Sequence, residues 1–365
     1  MTETWGFLPL KEIESINTQS IWHAAALTRE SFGYDNLLFI DWPDKPFVSV
    51  GYHQDPNVEV DIKYCEQQNY EVYRRSCGGG QVFLDGNQIF YHMITNPENS
   101  QLKGSMRHFY EKLLTPVINT YNELGVNAVY APVNDIVAEN KKVSGNGAAT
   151  LGDSRILTGN FILSFPSKEM SKVLRVPDEK FRDKIAQSLD ERVGSFQSLT
   201  GSIPETDVVI DAFTKHFQSD LGVELIQVEM TPELKGKLNQ LNQLYKTSEW
   251  MYENSNKSQN LRAVKIMGGV FVCESMIKTN GGLIKGIFVL DNNKITDANL
   301  TGDISVDPID GLSILERKLV GQEVGSEGLR SELTGLLSQL DMPGVTVDEL
   351  MTLITQAAQS HKENQ

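Results

Sequence analysis

Residues 73–91 read YRRSCGGGQVFLDGNQIFY. Two arginines run into three consecutive glycines, with apolar residues on both sides. Glycine lacks a side chain, so ligand atoms can approach the main chain and its N–H donors. Arginine supplies a rigid fork suited to phosphate or carboxylate. Arg75 and the Gly78–Gly80 backbone therefore describe an anion site, which a solvated glycine turn would match equally well in composition. The phosphate loop GxxxxGKS/T and a strand followed by GxGxxG are both absent, so this is not a standard nucleotide loop. Strands are expected at EVYRR, QVFLD and QIFYHMI. The last two are expected to form a hairpin through Gly86-Asn87, since both residues tolerate positive φ.

Outward from this stretch, the chain suits a two-domain protein. Its 365 residues exceed what one core usually organises. Apolar residues make up 40% and charged residues 22%, as in folded soluble proteins. Lysine and arginine total 33 against 48 acidic residues, a net charge of −15, which argues against nucleic acid as a partner. Arg74–Arg75 and Lys141–Lys142 remain as local basic patches. No apolar run is long enough to span a membrane, and MTETWGFLPLKEIES does not read as a secretory signal. Cys65, Cys77 and Cys273 form no disulfide framework and no CxxC pair, which points to a reduced, cytoplasmic setting. The histidines show no paired ligand spacing, so no structural metal is expected.

Helices are expected at 13–30, 58–69 and 104–124, the last ending at Gly125 and strained by Pro116. Strands are expected at 36–41 and 47–52. NDIVA, KVSGNGAAT and RILTGNFILSF read as an antiparallel meander, 167–220 as mostly short helices, and 222–229 as an edge strand. YKTSEWMYENSNKSQN reads as a linker. Beyond it, LRAVKI, GGVFVCESMI, GGLIKGIFVLD and KITDANLTG read as four strands, followed by helices at 310–320, 326–340 and 346–360. The expected organisation is a mixed α/β domain over 1–248 with largely antiparallel strands, and a small α+β domain over 249–365.

A second cluster, NDIVAENKKVSGNGAA, spans 134–149. Side chains alternate along a strand, so only one of Lys141 and Lys142 can point inward. An inward lysine would stabilise charge developing on phosphate oxygens, while an exposed lysine pair is the commoner arrangement. Asn134 and Asp135 are placed to bind a base or a metal. Cys77 has no partner base in sequence and reads as a packing residue. His92, on an apolar strand, reads as a satisfied core histidine.

Together, RRSCGGGQVFLD, NDIVAENKKVSGNGA and ILTGNFIL resemble the lipoate–protein ligase A family, whose pattern is roughly RRxxGGGxVxHD, then Asn-Asp, then KxSGxA. The tail, with KTSEW and GGLIKGIFVLDNNKITDANLTGD, resembles that family's accessory domain. The resemblance implies a biotin/lipoate-ligase-type catalytic fold and a two-step reaction. Lipoate, or octanoate, attacks the α-phosphate of ATP with Mg²⁺, and a lysine of a lipoyl-carrier protein then takes the acyl group. It implies Lys142 as the catalytic lysine. Arg75, Ser76, Cys77, Gly78, Gly79, Gly80, Val82, Phe83, Gly145 and Ala148 would meet the acyl group. Asn134, Asp135, Asn87, Gly159 and Asn160 would meet the nucleotide, with Asp135 on the metal. Leu84 stands where the family usually has histidine, and Asn146 and Ala149 where some members have serine and arginine. A carrier-to-carrier acyltransferase of the same fold would use a cysteine near the lysine strand, and none lies between Cys77 and Cys273. A non-catalytic carrier-binding protein is the remaining alternative, weakened by retention of Arg75 and Lys142.

Overall fold

A computed structural model describes residues 2–176, 181–262 and 270–362. The strands of the first part are β1 (Glu3–Ile13), β2 (Leu37–Pro43), β3 (Phe47–Val50), β4 (Glu71–Arg74), β5 (Val82–Leu84), β6 (Gln88–Thr95), β7 (Val129–Ala131), β8 (Asp135–Ala138), β9 (Lys141–Ser144), β10 (Asn146–Leu151), β11 (Ser154–Ile162) and β12 (Val223–Gln227). The tail contributes β13 (Val270–Thr279), β14 (Gly282–Asp291) and β15 (Lys294–Gly302). The chain forms two compact units. The first comprises Met1–Ser49, Asp61–Tyr73 and Val82–Lys246; the second comprises Val50–Val60, Arg74–Gln81 and Thr247–Gln365. The second unit thus takes up two short pieces of the stretch 1–248.

The first unit is built on a six-stranded sheet in the order β10-β11-β6-β2-β1-β12. β1 runs parallel to β2 and β12, and the other pairs are antiparallel. β1 lies within a stretch for which no strand was expected. β12 is at the edge, as its sequence suggested. Alternation along the strands sends Leu38, Ile40, Tyr91, Met93, Leu157 and Phe161 to one face. There they meet the helices Met106–Glu123 and Thr206–Leu221 through Phe109, Leu113, Val117, Tyr121, Phe213 and Phe217. The first of these helices continues through Pro116. On the opposite face lies the helix Ser15–Thr28, whose Ala24, Ala25 and Ala26 are buried and permit close approach. It is backed by Pro232–Tyr245, with His23 Nδ1 2.7 Å from the Tyr245 hydroxyl and Asn242 donating to Asn17 at 2.7 Å.

Two local expectations are corrected. β5 and β6 form no hairpin: β5 pairs with β3 in a small sheet, order β4-β3-β5, while β6 enters the six-stranded sheet. Neither Gly86 nor Asn87 takes the left-handed conformation that a two-residue hairpin needs. Instead Asp85 accepts the Asn87 N–H at 2.9 Å and its carbonyl accepts the Gln88 N–H at 3.1 Å, and the chain leaves in a new direction. KVSGNGAAT is likewise not one strand. It divides at Gly145 into β9, paired with β8 in the sheet β7-β8-β9, and β10, paired with β11.

The second unit carries the antiparallel sheet β13-β14-β15, covered by Gly311–Leu319, Glu327–Leu337 and Val347–Lys362. Phe288, Ile284, Leu300, Leu315, Leu333 and Leu353 lie in its core. The β14–β15 turn places Asn292 and Asn293 at φ 49° and 70°, as DNNK suggested. The expected linker is instead helical, Ser248–Met251 and Glu253–Arg262. Of LRAVKI, Leu261 and Arg262 end that helix, and the rest lies outside the described residues.

Arg74 is not a surface charge. It is 0% exposed and anchors this unit. Its guanidinium donates to the carbonyls of Trp250 and Tyr52 at 2.8 and 2.7 Å and pairs with Glu253 at 2.6 Å. It also lies 4.6 and 4.4 Å from the ring centres of Tyr52 and Trp250. The Trp250 indole returns a hydrogen bond to the Arg74 carbonyl at 2.7 Å. Removing one partner of such a set leaves buried polar groups unpaired. Arg74→Ala is expected to lower stability by about 3 kcal/mol, and Arg74→Lys to recover little of it, measured by urea denaturation.

His53 lies in the same unit. Its Nε2 is buried without a hydrogen-bond partner among the described residues. Burial, followed by the charges of Arg74 and Lys257, lowers its pKa to about 3. The unfolded chain therefore binds a proton at His53 below about pH 6.5 that the folded chain refuses down to about pH 3. Its contribution to stability is complete above pH 6.5 and is lost as pH falls through that window. His53→Leu should reduce the slope of stability against pH between 6 and 4 by up to about 1.4 kcal/mol per unit, read from denaturation midpoints across pH.

Candidate active site

The lysine strand is held from three sides. Lys142 pairs with Val137 across β8–β9, next to a bulge between Ile136 and Val137, and its carbonyl accepts the Gly194 N–H at 2.9 Å. The Tyr121 hydroxyl donates to the Val143 carbonyl at 2.5 Å and accepts from the Ile162 N–H at 3.0 Å, tying β9 to β11. Burial pushes the Tyr121 phenol up, which keeps it a donor. Strand alternation then separates the two lysines. Lys141 reaches the Asp190 carbonyl at 2.7 Å, near the end of the helix Arg182–Arg192. Lys142 turns the other way and places Nζ 2.5 Å from Asp135 Oδ1.

Gly145 gives Lys142 its setting. A Cβ on Gly145 would lie 3.7 Å from Lys142 Cε and 3.7 Å from Asn160 Oδ1. The Gly145 N–H does not join a strand ladder; it donates to Asn160 Oδ1 at 2.9 Å. Asn160 Nδ2 donates to Gln88 Oε1 at 2.8 Å, and Gln88 Nε2 to the Phe83 carbonyl at 3.1 Å. This relay runs through β5, β6 and β11 to the break between β9 and β10. Asn160 therefore stands beside Lys142, and Gln88, which carried no signal in the sequence, fixes its amide.

Asn134 and Asn146 exchange hydrogen bonds: each side chain donates to the other's backbone carbonyl. Asn146 Oδ1 also accepts the Tyr91 hydroxyl at 2.5 Å, with Ser144 Oγ 3.0 Å from the same hydroxyl. Gly159 is not an open floor. A Cβ there would meet Asn146 Oδ1 at 2.2 Å and the Tyr91 hydroxyl at 2.5 Å, so glycine is needed for Tyr91 to pack. Ala148 also faces away from Gly145 and Gly147 and packs against the hydrophobic core. Val82 is exposed while Phe83 is buried against Tyr70, their ring centres 5.0 Å apart, so alternation sends only one of the two to either side. Asn87 serves the turn after Asp85, and its carbonyl accepts the Leu163 N–H at 2.9 Å.

The glycine loop belongs to the second unit. Arg75 braces it: Nη2 donates to the Gly78 and Gly80 carbonyls, both at 2.8 Å. The glycines are required first by backbone. A Cβ on Gly78 would meet the Ile304 carbonyl oxygen at 2.3 Å, and the Gly79 N–H donates to that carbonyl at 3.2 Å. Gly79 sits at φ 92°. Gly80 is less crowded, its nearest neighbour being Asp303 Cβ at 3.7 Å. Ser76 and Cys77 are buried, and burial pushes the Cys77 thiol up, which fits packing and not attack. Among the described residues no group of three or more acidic, histidine or cysteine side chains is arranged to hold a metal.

The Lipoyl protein ligase A/B catalytic domain family matches residues 22–218. This chain belongs to that family. Lipoate-protein ligase A subunit 1 of Thermoplasma acidophilum is 29% identical over 61% of this chain and 91% of its own length. Octanoyltransferase LipM of Kyrpidia tusciae is 24% identical over 57% of this chain and 84% of its own. Among solved structures, a bipartite lipoate protein ligase from T. acidophilum, described together with its E2 lipoyl domain, has 25% identity and a TM-score of 0.61. It covers 69% of this chain and 97% of its own. The P. falciparum protein LipL1 in complex with lipoate is 14% identical and shares the fold over 96% of this chain and 99% of its own, with a TM-score of 0.70. Lipoate-protein ligase A bound with ATP is 23% identical, with a TM-score of 0.56 over 68% of this chain and 98% of its own. The fold is therefore that of the lipoate ligases. No helix among the described residues is long and apolar enough to cross a membrane.

The packing of Tyr91 against Gly159 supports both Asn146 and Asn134. Gly159→Ala should cost about 2 kcal/mol by overpacking. Thermal denaturation measures this, and an unchanged midpoint would mean the row Tyr91–Gly159–Asn146 yields easily.

Proposed function

We propose that this protein is an ATP-dependent lipoate–protein ligase. The observation that carries this reading is Lys142, a family-pattern lysine aimed at Asp135 and set beside Gly145 and Asn160. In the first step a carboxylate oxygen of lipoate or octanoate attacks the α-phosphorus of ATP. Pyrophosphate leaves, and the acyl-AMP anhydride remains. In the second step the neutral amine of a carrier lysine attacks the acyl carbon. AMP leaves, an amide forms, and the amine gives up a proton.

Two anions meet in the first step. Lys142 supplies a compact positive charge where negative charge is shared over the transferring phosphorus, which lowers the barrier. In the free protein Asp135 holds the Lys142 ammonium. Asp135 fits Mg²⁺ as a single carboxylate, the ion taking its other ligands from phosphates and water, as is usual for this cation. When bound, Mg²⁺ supplies further charge to the phosphates. Asn134 and Asn160 are assigned to the nucleotide side. The Arg75-braced loop is assigned an anion-binding part on the strength of the family pattern, with Gly80 its least crowded glycine.

The carrier is proposed to be a lipoyl domain, supported by the E2 lipoyl domain described with the T. acidophilum ligase. ATP and lipoate are supported by the relatives solved with each. We place the enzyme in the cytoplasm, in keeping with three free, buried cysteines. The LipM likeness raises transfer between carriers without ATP. That route needs a reactive thiol, and burial raises Cys65 to about 11 and raises Cys77 and Cys273 as well.

Incubation with ATP, Mg²⁺ and lipoate should release pyrophosphate and add the acyl mass to a lipoyl domain. Lys142→Ala should lower the release by a hundredfold or more, about 2.7 kcal/mol of barrier. Lys141→Ala should stay within a few-fold of the parent. Acyl transfer from an octanoylated carrier without ATP, and no pyrophosphate, would support the transferase instead.

A further inference from the structure

The sheet of the second unit has an open side. β13 pairs with β14, and among the described residues no strand pairs with its other side. This edge is ten residues long, keeps one register with β14 throughout and contains no proline. Proteins usually blunt such an edge by shortening it, bulging it or placing proline in it, because its N–H and C=O groups are a template for another strand.

β14 fixes which backbone groups of β13 face outward. The Leu283 N–H donates to the Asp303 carboxylate, and the Leu283 carbonyl accepts the Asp303 N–H at 3.1 Å, so both groups of Leu283 point to the β15 side. Those of the next residue, Ile284, point to β13, where Ile284 is paired with Ile277. Alternation then turns the backbone groups of Ile277, Ser275 and Cys273 toward β14, and those of Lys278, Met276, Glu274 and Val272 outward. The side chains divide in the same way. Cys273 and Ile277 pack in the core, and Ser275 donates to the Leu353 carbonyl at 2.6 Å, on the side of the helix Val347–Lys362. Glu274, Met276 and Lys278 lie on the other face and are exposed. Met276 is 58% exposed, more than any other large apolar side chain described.

These residues are complementary to themselves. An antiparallel copy of the edge must set outward residues opposite outward residues. A two-fold axis at Glu274 or at Lys278 would oppose like charges, which is destabilising. An axis at Ser275 or Ile277 would set each charge opposite an uncharged residue. An axis at Met276 alone places Glu274 opposite Lys278 twice and Met276 against its own copy. We propose that a second copy of this chain pairs with β13 about an axis at Met276, giving one six-stranded sheet through both second units. The charges then select the register and repel the others, and Met276 loses its exposed apolar surface. Pairing along one edge is a small contact, so a dissociation constant on the order of 10 μM is expected.

Analytical ultracentrifugation of the full-length protein from about 1 to 500 μM should follow a monomer–dimer equilibrium. Glu274→Lys opposes lysines twice and should weaken the dimer about tenfold or more; Glu274→Lys with Lys278→Glu should restore it to within about threefold. Met276→Cys gives a second readout. Opposed Cα atoms at the axis lie roughly 5.5 Å apart, within disulfide range, so mild oxidation should cross-link that variant as a dimer on a non-reducing gel. Glu274→Cys and Lys278→Cys should not cross-link, because neither faces its own copy. A protein that stays monomeric throughout overturns the proposal, as does a dimer indifferent to the charge reversals. Equal cross-linking of all three cysteine variants rules out the register. A chain monomeric alone that binds a lipoyl domain, and loses that binding in Glu274→Lys, gives the edge to the carrier instead of a second copy.

Discussion

The hydrogen bond from Gly145 N–H to Asn160 Oδ1 is the constraint on which the lysine's position depends. A strand continued through Gly145 would keep β9 and β10 in one sheet and give that N–H a ladder partner. Here the side chain of Asn160 takes the donor, and the two halves go to different sheets. Lys142 then belongs to the small sheet while its aliphatic chain lies against a position of the large one. A Cβ at Gly145 would make ordinary van der Waals contact with the Lys142 chain and the Asn160 amide. Gln88 orients the Asn160 amide, and Tyr121 holds Val143, so the break is supported by residues far from it in sequence.

The second unit applies a similar economy of backbone. Gly78 and Gly79 let the main chain of residues 304–305 approach within reach of a hydrogen bond, and Arg75 caps the loop carbonyls. Arg74, its neighbour, faces a different task inside the aromatic pair Tyr52 and Trp250. Two adjacent arginines with the same chemistry thus divide into an internal anchor and a loop brace. The division follows from strand alternation at the end of β4, where successive side chains leave on opposite sides.

The two faces of the central sheet have different characters. One is closed by aromatic packing, with Tyr91, Phe161 and Phe213 in mutual contact and Gly159 giving Tyr91 its room. The other combines small residues on β10 with the polar series Asp41–His92–Thr158. Tyr91 and His92 are neighbours in the chain and serve opposite faces, so a single strand contributes both to the packed core and to the polar series Asp41–His92–Thr158.

From the sequence by itself came the family pattern, the mixed α/β class, the alternation that gives Lys141 and Lys142 different partners and the place of His92 as a bonded core histidine. The first rests on resemblance to a known family; the others follow from local rules of residue spacing and strand alternation. Only the tertiary structure decided which strands share a sheet. QVFLD and QIFYHMI look like a hairpin, and KVSGNGAAT looks like one strand, because propensity records the tendency to extend and not the partner. The Asp85 turn and the Asn160 amide choose those partners through hydrogen bonds that no short window of sequence contains. The same holds for Arg74, Gly159 and Asp41, whose burial is set by residues tens to hundreds of positions away.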